Sequence, residues 1–177
     1  MNPRDKAPPG LIKGEDAVVV IIDMQERLFP VMAGKEALAE QVMKLVRFSK
    51  IVGLPVIVTE QEKLGSTLPE IQGALASVPP VPKVDFNCFG CETFVKRIQE
   101  LNRGTLILCG IEAHICVAQT ALHAASGYDV HVVADAVASR SPENCRIALG
   151  RMSQRGITIT STEMVIYEVL KRAGTET

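Results

Sequence analysis

Short apolar runs alternate along this chain with longer segments whose apolar residues recur at three- and four-residue spacing. The short runs are AVVVIID (17–23), PVIVTE (55–60), VPKV (81–84), TLILC (105–109), DVHVVA (129–134) and ITIT (157–160). Interleaved with them are KEALAEQVMKLVRFSKIVG (35–53), ETFVKRIQELNRG (92–104), ICVAQTALHAASG (115–127), SPENCRIALGRMSQRG (141–156) and STEMVIYEVLKRAG (161–174). The first set has strand length and the second has helical period, with Gly as the expected stop. Six strands alternating with helices predict βαβ units and right-handed crossovers. The expected class is a three-layer, doubly wound α/β domain: a six-stranded, mostly parallel sheet with helices on both faces. Residues 1–14 carry three prolines and two glycines without periodicity and read as an irregular arm. The single domain is expected over 15–177.

Composition narrows this picture. At 177 residues the chain suits one core. Aromatics are only 4%, so that core must come from Val, Ile, Leu and Ala, which suits buried parallel strands. A net charge of −1 with scattered basic residues argues against nucleic acid or anionic membrane as a partner. The N-terminus has charges and prolines where a signal peptide needs an apolar run, and the longest apolar stretch, Ala17 to Ile22, is too short to span a bilayer. A cytoplasmic location is expected. Five cysteines, an odd number, then read as reduced thiols.

In doubly wound sheets ligands bind beyond the carboxyl ends of the strands. Three residues stand out there. Asp23 closes the first strand, Lys83 lies in the third, and Cys116 follows the fourth at the start of a helix. A thiol in a first helical turn beside a cation is expected to have a lowered pKa, as a nucleophile requires. A carboxylate can take its proton, and a lysine can hold both by charge. Each residue also has an ordinary explanation: a buried small thiol, a turn-forming Asp, a solvated Lys. Their convergence above one sheet is the pattern for acyl transfer.

The segments VVVIIDMQERLFP, VIVTEQEKLGSTLPEI, VPKVDF and LILCGIEAHICVAQTALHAASGYDVHVVADAVASR resemble the isochorismatase-like cysteine hydrolases in order and spacing. The likeness is greatest to the isochorismatase-domain-containing subgroup, through Thr59-Glu60-Gln61 and the stretch Gly110 to Val117. This resemblance implies a Rossmann-like sheet, a catalytic triad of Asp23, Lys83 and Cys116, and a cis peptide between Ile111 and Glu112. It also implies an oxyanion hole made by the backbone N–H groups of Glu112 and Cys116. Self-association into a homo-oligomer is expected on the same ground, and no cofactor is implied.

Departures from the family's branches narrow the chemistry further. Nicotinamidases hold a metal through a pattern like T-x-D-x-H after the second strand, where this chain has Gln61 and Lys63, so no metal is expected. Isochorismatases proper do not have cysteine at the nucleophile position, so Cys116 disfavours a vinyl ether. A small amide, ureido or ester carbonyl compound fits better, hydrolysed through a thioester. The alternative is a non-catalytic ligand- or partner-binding protein that retains the fold. Phe29, Gln61 and Phe86 are candidate pocket residues by their proximity in sequence to the triad. Cys88-Phe89-Gly90-Cys91 has redox or zinc spacing but lacks a second pair to complete a site.

Overall fold

A computed structural model describes residues 10–174 of the chain. The first nine residues of the expected arm lie outside the described residues. The remainder is partly built into the core: Ile12 is buried, and its N–H donates to the Glu168 carboxylate at 3.0 Å.

Six strands form one sheet in the order β3-β2-β1-β4-β5-β6, and every neighbouring pair is parallel. They are β1 (Ala17–Ile22), β2 (Val56–Gln61), β3 (Val81–Lys83), β4 (Thr105–Ile111), β5 (Asp129–Ala138) and β6 (Thr158–Thr160). All residues of β1 and β4 are buried, because both strands are central and covered on both faces. The helices are α1 (Lys35–Val52), α2 (Pro69–Ala74), α3 (Glu92–Leu101), α4 (Ala118–Ala124), α5 (Pro142–Ser153) and α6 (Thr162–Leu170). One face of the sheet packs Val19 and Ile21 with Leu38, Val42 and Leu45 of α1 and Val165 of α6. The other packs Val18, Val20 and Ile22 with Phe94 of α3, Ala121 of α4 and Met152 of α5.

Local sequence explains most boundaries. Gly53 stops α1 at a φ of 71°, in the left-handed region where glycine has no steric penalty. Ser141 and Ser161 cap α5 and α6 by accepting the N–H groups of Asn144 and Met164, each at 3.3 Å. Two features differ from the pattern-based expectation. Helix α2 was not anticipated, because six residues are too few to display a helical period. Strand β5 runs to Ala138, four residues beyond the expected 134. Asp135 interrupts its apolar run, and the register against β4 shifts between Leu108 and Gly110. The Asp135 carboxylate joins Ser161 at the start of α6, accepting the N–H and hydroxyl of Thr162 at 2.8 and 3.0 Å. No helix among the described residues is long and apolar enough to cross a membrane.

The strand order reverses between β1 and β4. Their carboxyl ends therefore flank the crevice where this architecture places ligands. Asp23 leaves one side of that crevice and Glu112 the other.

Candidate active site

Asp23 follows directly on β1 with a φ of 51°, a left-handed conformation that Asp tolerates better than most residues. Its N–H donates to the Thr59 carbonyl at 3.2 Å, and its own carbonyl accepts the Gln25 N–H at 2.7 Å. The carboxylate is fully buried, and each oxygen has a donor. Oδ1 accepts from the Thr59 hydroxyl and Oδ2 from Lys83 Nζ, both at 2.7 Å. Lys83 is likewise buried, and its ammonium also donates to Gln61 Oε1 at 2.6 Å and to the Asp85 carbonyl at 3.2 Å. Three acceptors thus match its three N–H bonds. Burial alone favours the neutral amine, but the Asp23 charge and hydrogen bond outweigh it and hold the lysine above its ordinary value.

Removing one partner of such a pair leaves the other charge buried and unmatched. Lys83→Met is therefore expected to destabilise the protein by about 3–5 kcal/mol. Urea unfolding of the variant checks this, and a midpoint equal to that of the wild type would contradict it.

Cys116 lies in a π-helical turn, Ala113–Val117, that leads from β4 into α4. The Ile115 and Val117 N–H groups both donate to the Glu112 carbonyl, at 3.0 and 3.2 Å. The thiol is buried and lies within the electrostatic reach of both Asp23 and Lys83. Burial, then the Asp23 carboxylate, push its pKa up to about 12, and Lys83 offsets only part of this. The lowered pKa expected from helix position and a neighbouring cation is thus corrected. The cation is already matched by a carboxylate, and the helix beyond the turn has only seven residues. Neither fact is visible in a sequence pattern.

The peptide bond between Ile111 and Glu112 is cis. The Glu112 carboxylate is buried, accepting the Arg140 backbone N–H at 2.9 Å and Arg140 Nε at 3.2 Å through both oxygens. His114 Nδ1 lies 2.8 Å from the buried Ser139 hydroxyl, tying the turn to the end of β5.

The suggested pocket residues have different surroundings. Gln61 is occupied, holding Lys83 through Oε1 and donating from Nε2 to the Val84 carbonyl at 2.6 Å. Phe29 sits half-buried in a short turn and packs against the core on the α1 face. Phe86 is exposed just beyond Lys83. A groove of about 480 Å³ between α1 and α6, lined in part by Gln41, Lys44, Glu163 and Tyr167, contains none of Asp23, Lys83 and Cys116. Among the described residues no cluster of His, Cys, Asp or Glu could hold a metal ion. Cys88 and Cys91 are free thiols; Cys88 is buried, and its N–H donates to the Thr120 hydroxyl at 3.0 Å. Burial, partly offset by a hydrogen bond from Thr120, pushes the Cys88 thiol up to about 11.

Two residues at the site were not singled out for a role from sequence. Thr59 pairs in register with Ile22, which sets its hydroxyl beside Asp23. A lone hydroxyl in an otherwise apolar buried run was the available signal. Gln25 is fully buried and clamps the end of β2, donating to the carbonyls of Gln61 and Gly65 at 2.9 and 2.7 Å and accepting the Gln61 N–H at 2.8 Å. Nothing in its local sequence distinguishes it from a surface Gln.

Comparison with known proteins agrees with this architecture. The family model described as Isochorismatase domain matches residues 17–164. The secreted isochorismatase effector Isc1 of Phytophthora sojae is 36% identical over 174 residues, covering 93% of this chain and 82% of that protein. Isochorismatase domain-containing protein 2A of Mus musculus is 32% identical, covering 95% of this chain and 82% of that one. Among solved structures, the YcaC gene product of Escherichia coli, described as an octameric hydrolase of unknown specificity, superposes with a TM-score of 0.89 at 27% identity, covering 94% of this chain and 85% of that one. Matched over most of its length by the family model and by relatives above 30% identity, the chain belongs to the isochorismatase-domain family, in the isochorismatase-domain-containing subgroup.

Proposed function

We propose that this protein is a cysteine hydrolase acting on a small amide, ureido or ester carbonyl compound, with Cys116 as nucleophile. The observation that carries this reading is the buried Asp23–Lys83 ion pair set against the Cys116 thiol. A carboxylate and an ammonium with no solvent access are costly to maintain, and chemistry at the adjacent thiol gives them a use.

A thiol with a pKa of about 12 keeps its proton at neutral pH. Proton transfer must therefore accompany attack. Asp23 accepts the thiol proton as Cys116 Sγ bonds to the carbonyl carbon, and the carbonyl π pair moves onto oxygen. The N–H groups of Glu112 and Cys116 are the donors assigned to that oxyanion. Collapse expels the amine or alcohol, which takes the proton from Asp23, and leaves a thioester. Water, deprotonated by Asp23, then attacks the thioester; the acid departs and the sulfur recovers its proton. Lys83 keeps Asp23 in place and balances its charge throughout. No step calls on a cofactor. Self-association is part of the reading, supported by the octameric relative, as is a cytoplasmic location.

The test is intact-protein mass spectrometry during turnover of a panel of activated esters and N-carbamoyl compounds. An acyl adduct at Cys116, absent in Cys116→Ala, is the expected result. The raised thiol pKa favours a second reading, a binding protein that keeps the fold without the chemistry. Panel compounds that raise the melting temperature but give neither adduct nor product would establish that reading instead.

A further inference from the structure

We infer that Thr59 and Gln61 are positioning residues, a hydroxyl and an amide two places apart on β2 that hold the two ends of the Asp23–Lys83 pair so that Asp23 keeps a lone pair turned to the Cys116 thiol. This rests on the assignment of Cys116 as nucleophile and Asp23 as its proton acceptor. Residues two apart on a strand share a face. Ile57, the preceding residue of that set, packs in the same buried cluster as Cys116, and so does Val81, which precedes Lys83 by two on β3. Parallel register completes the placement. Thr59 pairs with Ile22, next to Asp23, and Gln61 pairs with Lys83 itself.

The two side chains divide the ion pair between them. The Thr59 hydroxyl donates to Asp23 Oδ1 at 2.7 Å, and Gln61 Oε1 accepts from Lys83 Nζ at 2.6 Å. Lys83 donates to Oδ2, and the Cys116 thiol lies within hydrogen-bonding reach of the same carboxylate. A carboxylate gripped by one oxygen can swing about its Cβ–Cγ bond, because that terminal torsion is broad. A second donor on Oδ1 fixes its plane. The ammonium stands on a flexible four-carbon stem and needs acceptors besides Asp23 to stay in place. Gln61 is itself immobilised: its backbone N–H and carbonyl are both bonded to the Gln25 side chain, and its Nε2 donates to the Val84 carbonyl. Both helpers are neutral, so neither disturbs the balance of charge beside the thiol. Misplacing a reacting group by about 1 Å can slow a reaction by about a hundredfold, and this pair of contacts guards against such a displacement.

The experiment sets acylation of Cys116 by 4-nitrophenyl acetate, in which Asp23 takes the thiol proton, against alkylation by iodoacetamide, which draws on the small thiolate population. Thr59→Val keeps nearly the same shape and removes the hydroxyl. Its acylation is expected to slow by about ten- to hundredfold while its alkylation stays within about twofold of wild type. Gln61→Leu should slow acylation to a like degree but raise alkylation by about fivefold, because the ammonium, one acceptor short, turns to the thiolate. Thr59→Ser restores the hydroxyl and should bring acylation back to within about threefold of wild type. Thr160→Val is the control: this buried threonine of β6 has a hydroxyl without a partner among the described residues, and both rates should be unchanged. Should Thr59→Val not fold, Thr59→Ser and Thr59→Ala isolate the hydroxyl in the same way, with Ala the slower. Acylation of Thr59→Val within about twofold of wild type, or a loss matched by an equal loss of alkylation, overturns the positioning role and leaves Cys116 as nucleophile standing. A wild-type protein that 4-nitrophenyl acetate does not label at Cys116 overturns the nucleophile assignment, and the positioning role with it.

Discussion

Asp23→Asn is expected to slow turnover by about 10²–10⁴-fold while making Cys116 easier to alkylate, two effects of opposite sign from one substitution. The first follows from loss of the carboxylate proposed to accept the thiol proton. The second follows from the electrostatics of the resting site. The Asp23 carboxylate is one of the forces that push the thiol up to about 12, and Lys83 pulls against it. With Asn in place the ammonium loses its partner on Oδ2, and a thiolate becomes the anion best placed to replace it. The wild-type alkylation rate should rise with pH through the range 7–10 without levelling, because the thiol pKa lies above that range. The variant should run above it at each pH. Measuring both quantities on the same preparation decides the matter: alkylation that falls along with turnover would mean that Asp23 activates the thiol by some route other than proton acceptance.

Gly110→Ala should be the most damaging single methyl group in the protein. Gly110 sits in β4 with a φ of 112°, and a Cβ added there would lie 2.0 Å from the carbonyl oxygen of Ile22 and 2.7 Å from its nitrogen. Those atoms are main chain of the neighbouring strand, paired in register with Gly110, so no side chain can swing aside. The clash and the forbidden φ add, and a loss of about 4 kcal/mol or more is expected. In a protein of this size that corresponds to a fall in melting temperature of about 10 °C or more, provided the chain folds at all. Thermal unfolding of the purified variant checks it, and a melting temperature within two or three degrees of wild type would show that β1 and β4 can part at this point. The position matters for function as well, because Ile22 precedes Asp23 and Gly110 lies two residues before Glu112.

What could be read from the sequence followed the reach of local patterns. The run VVVII at 18–22 has the composition of a strand buried on both faces, and it is one. The segment 141–156 carries a helical pattern, and α5 occupies Pro142–Ser153 within it. Features set by contacts distant in sequence were not legible. The extension of β5 depends on its pairing with β4 beyond a register shift, and the bonding of Asp135 to Thr162 depends on where α6 begins. At the site, Asp23, Lys83 and Cys116 could be suspected because reactive side chains at strand ends stand out against apolar runs. The contribution of Thr59 depends on strand register, and that of Gln25 on a loop folding back over β2. The direction of the Cys116 shift was misjudged for the same reason. Burial and the pairing of Lys83 with Asp23 are properties of the assembled fold.

Lys83 is carried by one of the two shortest strands in the sheet. β3 has three residues, lies at the edge, and pairs only with β2, through Val81, Pro82 and Lys83. Its middle residue is proline, which has no N–H to offer the ladder. Peeling of this edge is a local opening, well short of global unfolding. When it peels, the ammonium leaves behind the buried carboxylate whose charge it matches. Local opening at this edge thus disturbs the charge balance of the site while the core stays packed.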